Sequence, residues 1–148
     1  MFKNILIPTD GSKLALKGAK AGIRLAKALG ARVTVVYVIP PFVPIASSEA
    51  SAYAPMFALP DYRRASEATA RKALEAVAAQ AEEAHVLCRT RFVTASKVHD
   101  GILKVAQGSK CDAIAMASHG HGAVVGALLG SVTNRVLAHS KLPVLVTR

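Results

Sequence analysis

The chain has 148 residues, a formal net charge of +10, 52% hydrophobic residues and only 5% aromatic ones. That length suits one domain around one core, and the Ala- and Val-rich composition suits helices packed closely on a sheet. Cys88 and Cys111 show neither metal-ligand spacing nor a disulfide framework, and no stretch has the length of a signal-peptide core or a membrane span, so a soluble, cytoplasmic protein with reduced thiols is expected.

Strand and helix patterns then alternate from end to end. Phe2 to Pro8 is a continuous apolar run and predicts a buried strand. Ser12 can cap a helix running to Leu29, with Gly30 as its stop. Val33 to Val38, rich in β-branched residues, predicts a second buried strand. From Ile39 to Pro60 the chain holds Pro40, Pro41, Pro44, Pro55 and Pro60 with Ser47, Ser48 and Ser51 between them. That predicts a long Pro-rich loop, either a lid or docking arm or a plain linker. Asp61 to Ala84 predicts a helix with Arg63, Glu67, Arg71 and Glu75 as opposite-charge pairs on one exposed face. Val86 to Val93 predicts a third strand, Ser96 to Gln107 a helix stopped by Gly108, and Ala113 to Ala117 a fourth strand. A helix from about Ser131 to His139 and a last strand, Pro143 to Thr147, complete the pattern. Gly122, Gly126 and Gly130 repeat a G-x-x-x-G step, but Ser131, Asn134 and Arg135 interrupt the short apolar run Ala123 to Leu129, which cannot span a bilayer.

Alternating strands and helices predict parallel strands with helical crossovers, an open α/β sheet covered on both faces. Ligands bind such sheets beyond the carboxyl ends of the strands, where strand order reverses. Thr9-Asp10-Gly11, Val38-Ile39 and Ser118-His119-Gly120 would converge there. Gly130-Ser131-Val132-Thr133 follows at the start of the next helix. Glycines let a backbone approach an anion, helix-start N–H groups point at it, and hydroxyls add donors. A small nucleotide is therefore the expected ligand class. The stretch is neither a Walker loop nor the dinucleotide fingerprint, since Gly120, Gly122 and Gly126 are spaced one residue too far. His119 and His121 lack further partners at metal-ligand spacing and read as loop histidines near phosphate. Between Ser118 and Asn134 there is no Lys or Arg, and Arg135 is the nearest cation. Fast phosphoryl transfer uses such a cation, so binding without efficient turnover is expected.

The first helix carries Lys13, Lys17, Lys20, Arg24 and Lys27 at steps of four, three, four and three, on one face and without an acid. The stripe reads either as a solvated face or as a dock for an acidic protein, nucleic acid or lipid surface. No aromatics interleave to stack bases, which argues against nucleic acid.

Taken together, these residues make the chain resemble a universal stress protein of the nucleotide-binding type. The opening Ile5-Leu6-Ile7-Pro8-Thr9-Asp10-Gly11-Ser12 is similar to the start of that family, and Leu142-Pro143-Val144-Leu145-Val146 to its end. The family's G-x2-G-x9-G-[ST] motif falls on Ala117, Gly120, Gly130 and Ser131. Ala117 departs from the motif's first Gly. At a position needing positive φ an Ala would be costly, whereas as the last extended residue of a strand it costs nothing.

The resemblance implies a single domain with a five-stranded parallel sheet of order 3-2-1-4-5, and ATP or a related adenine nucleotide as ligand, with Mg or Mn able to join through the phosphates. It implies contacts at Pro8, Thr9 and Asp10, a main-chain contact to adenine at Val38, and further contacts at Met116, Ala117, Gly120, Gly130, Ser131, Val132 and Thr133. Asp10 would accept from ribose hydroxyls or from water on a cation, or else cap the first helix. With order 3-2-1-4-5 the last strand is an apolar edge, so a homodimer paired through it is expected. The expected function is regulatory nucleotide binding with slow hydrolysis at most. Two alternatives stay open: a nucleotide-free interaction module using the basic helix and Pro-rich loop, and an ATP-hydrolysing or phosphotransfer enzyme.

Overall fold

Side chains alternate across a strand, so a strand buried on both faces sends odd and even residues to different cores. The computed structural model describes residues 1–42, 54–121 and 129–148, with 54–58 described through the backbone only. Five strands, β1 (Asn4–Pro8), β2 (Arg32–Ile39), β3 (Cys88–Thr94), β4 (Ala113–Ala117) and β5 (Val144–Thr147), form one parallel sheet of order β3-β2-β1-β4-β5. Four helices cross between them: α1 (Lys13–Leu29), α2 (Ala54–Glu83), α3 (Val98–Gly108) and α4 (Ser131–His139).

Ile5, Ile7, Val33, Val35 and Ala115 bury one face against Ala19, Ile23 and Ala26 of α1 and Leu74, Val77 and Ala81 of α2. Leu6, Val36, Val38, Ile114 and Met116 bury the other against Ile102, Val105 and Ala106 of α3 and Val136 of α4. Helix α1 approaches β4 unusually closely. A Cβ on Gly18 would lie 2.8 Å from the Ala117 nitrogen, so only glycine fits there.

The expected fold class holds, and every expected element is present in order, with shifted ends. β1 starts two residues later than expected, β2 extends one residue each way, and β5 begins after Pro143. Ser12 caps α1 through its hydroxyl, which accepts from the Ala15 N–H at 3.1 Å, and Gly30 ends it in the left-handed region at φ 64°. There the Ala31 N–H reaches back to the Ala26 carbonyl and the Gly30 N–H to the Lys27 carbonyl, a Schellman end.

The same motif closes α2 and α3, but on residues other than glycine. His85 (φ 58°) and Lys110 (φ 52°) take the left-handed position. The Val86 N–H bonds the Ala81 carbonyl and so stays out of the ladder, while the Leu87 carbonyl accepts the first bond from β2, from the Val33 N–H at 2.8 Å, and β3 starts at Cys88. Gly108 is not the stop of α3 but its last helical residue, and the helix starts at Val98 rather than Ser96.

The Pro-rich loop is shorter than expected, because α2 begins at Ala54 rather than Asp61. Pro55 falls in the first helical turn, where its missing N–H is lost anyway. Pro60 is carried inside the helix, on the exposed side. Residues 43–53, with Pro44 and the three serines, lie outside the described residues, as do Gly122 and Gly126. The charge pairs expected on α2 do not form: none of Arg63, Glu67, Arg71 and Glu75 makes an ion pair among the described residues, and the Arg71 guanidinium sits over the Phe92 ring, 5.2 Å from its centroid. Exposed pairs of this kind gain little in water.

Candidate functional site

The order of the sheet puts the ends of β1 and β4 side by side, with the two chain segments leaving toward opposite faces. The cleft opens at this divide. Beyond β1 the Thr9 N–H still bonds the Val36 carbonyl at 2.9 Å, and the Thr9 hydroxyl accepts from the Gly11 N–H at 3.2 Å. Gly11, at φ 80°, turns the chain so that Ser12 can cap α1. Asp10 points across the cleft. Its Oδ1 accepts from the Ser12 N–H at 2.9 Å and its Oδ2 from the His121 N–H at 2.5 Å, while His121 Nε2 lies 3.0 Å from the Asp10 carbonyl. This carboxylate ties the β1 exit to the β4 exit. It also explains Gly120, where a Cβ would overlap the Asp10 carboxylate.

Burial acts to raise the Asp10 carboxyl. Hydrogen bonds from the Ser12 hydroxyl and N–H and from the His121 N–H, together with the nearby His121 ring, outweigh it and hold the group ionised below its ordinary value. Burial, then the charges of Asp10 and Tyr62, push the neighbouring Tyr37 phenol up.

A cavity of about 300 Å³ occupies the cleft. All eleven residues expected at a site line it: Pro8, Thr9, Asp10, Val38, Met116, Ala117, Gly120, Gly130, Ser131, Val132 and Thr133. Ala15, Val36, Tyr37, Val98, Ile102, His119 and His121 complete the wall. Of these, His119 and His121 were visible in the glycine stretch. The others look like core residues in sequence. Strand parity relates Val36 to Val38, and the i, i+4 step relates Val98 to Ile102, so both signals were available.

Two polar features stand open to the cavity. β1 stops pairing at Pro8, opposite Val36. Val38 presents its main chain to the same side as Val36, two residues on, past the end of β1, and its N–H and C=O have no partner among the described residues. The second feature is the start of α4. Its first intrahelical bond runs from the Asn134 N–H to the Gly130 carbonyl, which leaves the N–H groups of Ser131, Val132 and Thr133 without acceptors among the described residues. Ser131 itself is exposed.

Two expected donors are already committed. The Gly130 N–H bonds the Ser118 carbonyl at 2.7 Å, and the buried Thr133 hydroxyl bonds the Ala117 carbonyl at 3.1 Å. Both bonds fasten α4 to the end of β4, so Gly130 and the Thr133 side chain shape the site rather than offer it protons.

Ala117 is the last residue of β4 and does not have positive φ, so its methyl costs the backbone nothing. No Lys or Arg lines the cavity among the described residues, and Arg135 is exposed outside it. Among the described residues there is also no group of three His, Cys, Asp or Glu side chains placed to hold a metal ion. No helix there is long and apolar enough to cross a membrane.

This geometry has known counterparts. The sequence matches the universal stress protein family over residues 1–148. It is 32% identical to the universal stress protein MJ0531 of Methanocaldococcus jannaschii over all of this chain and 83% of that one. It is 34% identical to a universal stress protein of Thermus aquaticus encoded in the QAH/OAS sulfhydrylase 3′ region, over the full length of both. Among solved structures, the hypothetical protein MJ0577 superposes with a TM-score of 0.76 at 28% identity, covering 99% of this chain and 96% of the other. A universal stress protein in complex with cAMP superposes with a TM-score of 0.71 at 25% identity, covering 99% and 97%.

Proposed function

The chain belongs to the universal stress protein family, and we propose that it is a cytoplasmic regulatory protein that binds ATP or a related adenine nucleotide and turns it over slowly at most. The observation that carries this reading is the convergence, on one cavity, of a main-chain edge at Val38 and three N–H groups at the start of α4, all without partners among the described residues. The relative solved with cAMP supports an adenine nucleotide as the occupant.

The residues divide the work by chemistry. Val36, Val98, Ile102 and Met116 give the base an apolar slot, and the Val38 N–H and C=O meet its polar edge. The N–H groups of Ser131, Val132 and Thr133 and the Ser131 hydroxyl face the phosphates, at the positive end of the α4 dipole. Asp10, ionised, keeps lone pairs for the ribose hydroxyls. A Mg or Mn ion would be held through the phosphates, because among the described residues the cleft offers only this one carboxylate. With no lining cation, developing charge on a transferred phosphoryl group goes unneutralised, which keeps hydrolysis slow.

Mass spectrometry of the freshly purified, denatured protein tests the reading. An adenine nucleotide should be released, and calorimetry should then rank ATP, ADP, AMP and cAMP. No released nucleotide and no binding heat would leave an interaction module instead, and phosphate release well above background would make the protein an enzyme.

The proposal extends to assembly. β5 is an edge strand, and its central Leu145 is 41% exposed. Two copies paired antiparallel along β5 would cover it. Light scattering at micromolar concentration should give a dimer, and Val146→Pro, which removes a donor from the open edge of β5, should give monomer or aggregate, since the main chain of Leu145 faces β4 and that of Val146 faces outward. A monomeric parent would refute the pairing.

A further inference from the structure

The outer face of α1 has no role in the nucleotide cleft. Lys13, Lys17, Lys20, Arg24 and Lys27 are all exposed, and none lines the cavity. The helix contains no carboxylate. None of the five is answered from elsewhere in the described chain, where the single ion pair is His99–Asp100. The protein has nine acidic residues, and Asp61, Glu67, Glu75, Glu82 and Glu83 sit on the neighbouring α2 without pairing to α1. Five like charges at i, i+3 and i, i+4 oppose the helix that carries them. They persist on an element anchored rigidly by Gly18 and Gly22 against β4 and Ile7.

The spacing selects a shape of partner. Steps of four, three, four and three average half a heptad, so the stripe runs along the helix axis instead of winding around it. On an α-helix each step rises about 5.3 Å, and the whole stripe is about 21 Å long. A second helix with acids at the same spacing stays in step from end to end. An extended acidic peptide, with same-side residues about 6.7 Å apart, falls about 6 Å out of step over four intervals. Phosphates rising about 3.4 Å per strand in a duplex meet at most every second cation of the stripe. Four of the five cations are lysines, which act as point charges rather than planar bidentate readers of phosphate.

We propose that the outer face of α1 is a docking surface for an acidic helix of a partner protein, one presenting Glu or Asp at alternating three- and four-residue steps. Charge complementarity along the axis supplies the recognition, and it fades with salt.

The test uses the full-length protein and two synthetic helical peptides of identical composition, one with glutamates along a single stripe at 3-4 spacing and one with them spread around the helix. Single-stranded RNA and phosphatidylserine vesicles serve as rival probes. At about 50 mM salt the striped peptide should bind at least about tenfold more tightly than its spread isomer, and the gap should shrink as salt screens the charges. Lys17→Gln with Lys20→Gln and Arg24→Gln should remove that preference while nucleotide affinity stays unchanged. Replacing all five cations, Lys13, Lys17, Lys20, Arg24 and Lys27, by Glu should transfer the preference to a striped lysine peptide, a gain of function that a misfolded variant could not show. Equal binding of the two glutamate peptides, binding of neither, tighter binding of RNA or vesicles, or a preference that survives the triple variant would overturn the proposal.

Discussion

The two ends of the sheet solve opposite problems. At the amino ends of the strands the protein completes most of its own hydrogen bonding, with Gln80 Oε1 near the end of α2 the exception among the described residues. Asn4 is 2% exposed and Thr34 1%, yet each is satisfied: the Thr34 hydroxyl donates to Asn4 Oδ1 at 3.0 Å and Asn4 Nδ2 donates to the Ser109 carbonyl at 2.9 Å. Asp112 accepts from the N–H groups of Lys3 and Asn4, binding β1 to the entry of β4. Three helices arriving there close with Schellman ends. At the carboxyl ends the opposite holds. The ladder stops early at Val38, α4 starts without a side-chain cap, and a cavity stands between them. Main-chain polar groups without partners among the described residues mark this end as the one open to a ligand.

Substitutions at the two ends should therefore break different things. The largest expected effect is at the amino end. Asn4→Ala leaves the Thr34 hydroxyl and the Ser109 carbonyl without their partner in a buried site, and it should cost about 2–4 kcal/mol. Urea denaturation should show this as a lower midpoint, with nucleotide affinity of the folded fraction unchanged. An equal loss of affinity would dissolve the division between the ends.

Gly130→Val makes the converse change. A Cβ there would lie 3.3 Å from the His119 Cα and the Ser118 carbonyl oxygen, a tight fit at the mouth of the site. Stability should fall little, whereas affinity measured by calorimetry should drop at least about tenfold, or about 1.4 kcal/mol. A folded variant with parental affinity would remove Gly130 from the site.

Asp10→Asn tests the link across the cleft. A carboxylate with a lowered folded value stabilises the protein fully above its unfolded value, about 3.9, and loses that contribution as pH falls through the folded value. The variant should be less stable by about 1–2 kcal/mol at pH 7, in line with charge-assisted hydrogen bonds. The difference should close on acidification, as pH falls below the unfolded value and through the lower folded one. A difference independent of pH would show that Asp10 contributes as an amide could.

How legible each end was in sequence follows from the same physics. The residues expected at the open end do gather there, because that end depends on residue types with few other uses. Gly120 faces a carboxylate, and Gly130 and Ser131 begin a helix. The direction of the Gly130 N–H and the Thr133 hydroxyl could not be read, since either can bond the chain or a ligand with the same atoms. Tyr37 and Ile102 were hidden because apolar strand and helix positions look alike whether they face a core or a cavity. The closed end was misread where its geometry falls on residues that do not advertise it. Gly30 announces its left-handed turn, whereas His85 and Lys110 adopt the same conformation silently.

That silent turn gives the smallest and cleanest prediction. Lys110 holds a left-handed conformation that strains a side chain with a Cβ, by about 1 kcal/mol. Its N–H bonds the Gln107 carbonyl at 3.0 Å and the following Cys111 N–H bonds Ala106 at 2.8 Å, so the turn is fixed by the backbone. The Lys110 side chain is exposed and enters no ion pair among the described residues, so little is lost with it. Glycine relieves the strain but enlarges the freedom of the unfolded chain, which takes back part of the gain. Lys110→Gly should therefore stabilise the protein by about 0.5 kcal/mol, raising its melting temperature by a degree or two, while Gly30→Lys at the matching end of α1 should lower it. Nucleotide affinity should stay constant in both, because both turns lie at the end of the sheet away from the cavity. Destabilisation by Lys110→Gly would mean that the lysine side chain, and not the turn, secures the end of α3.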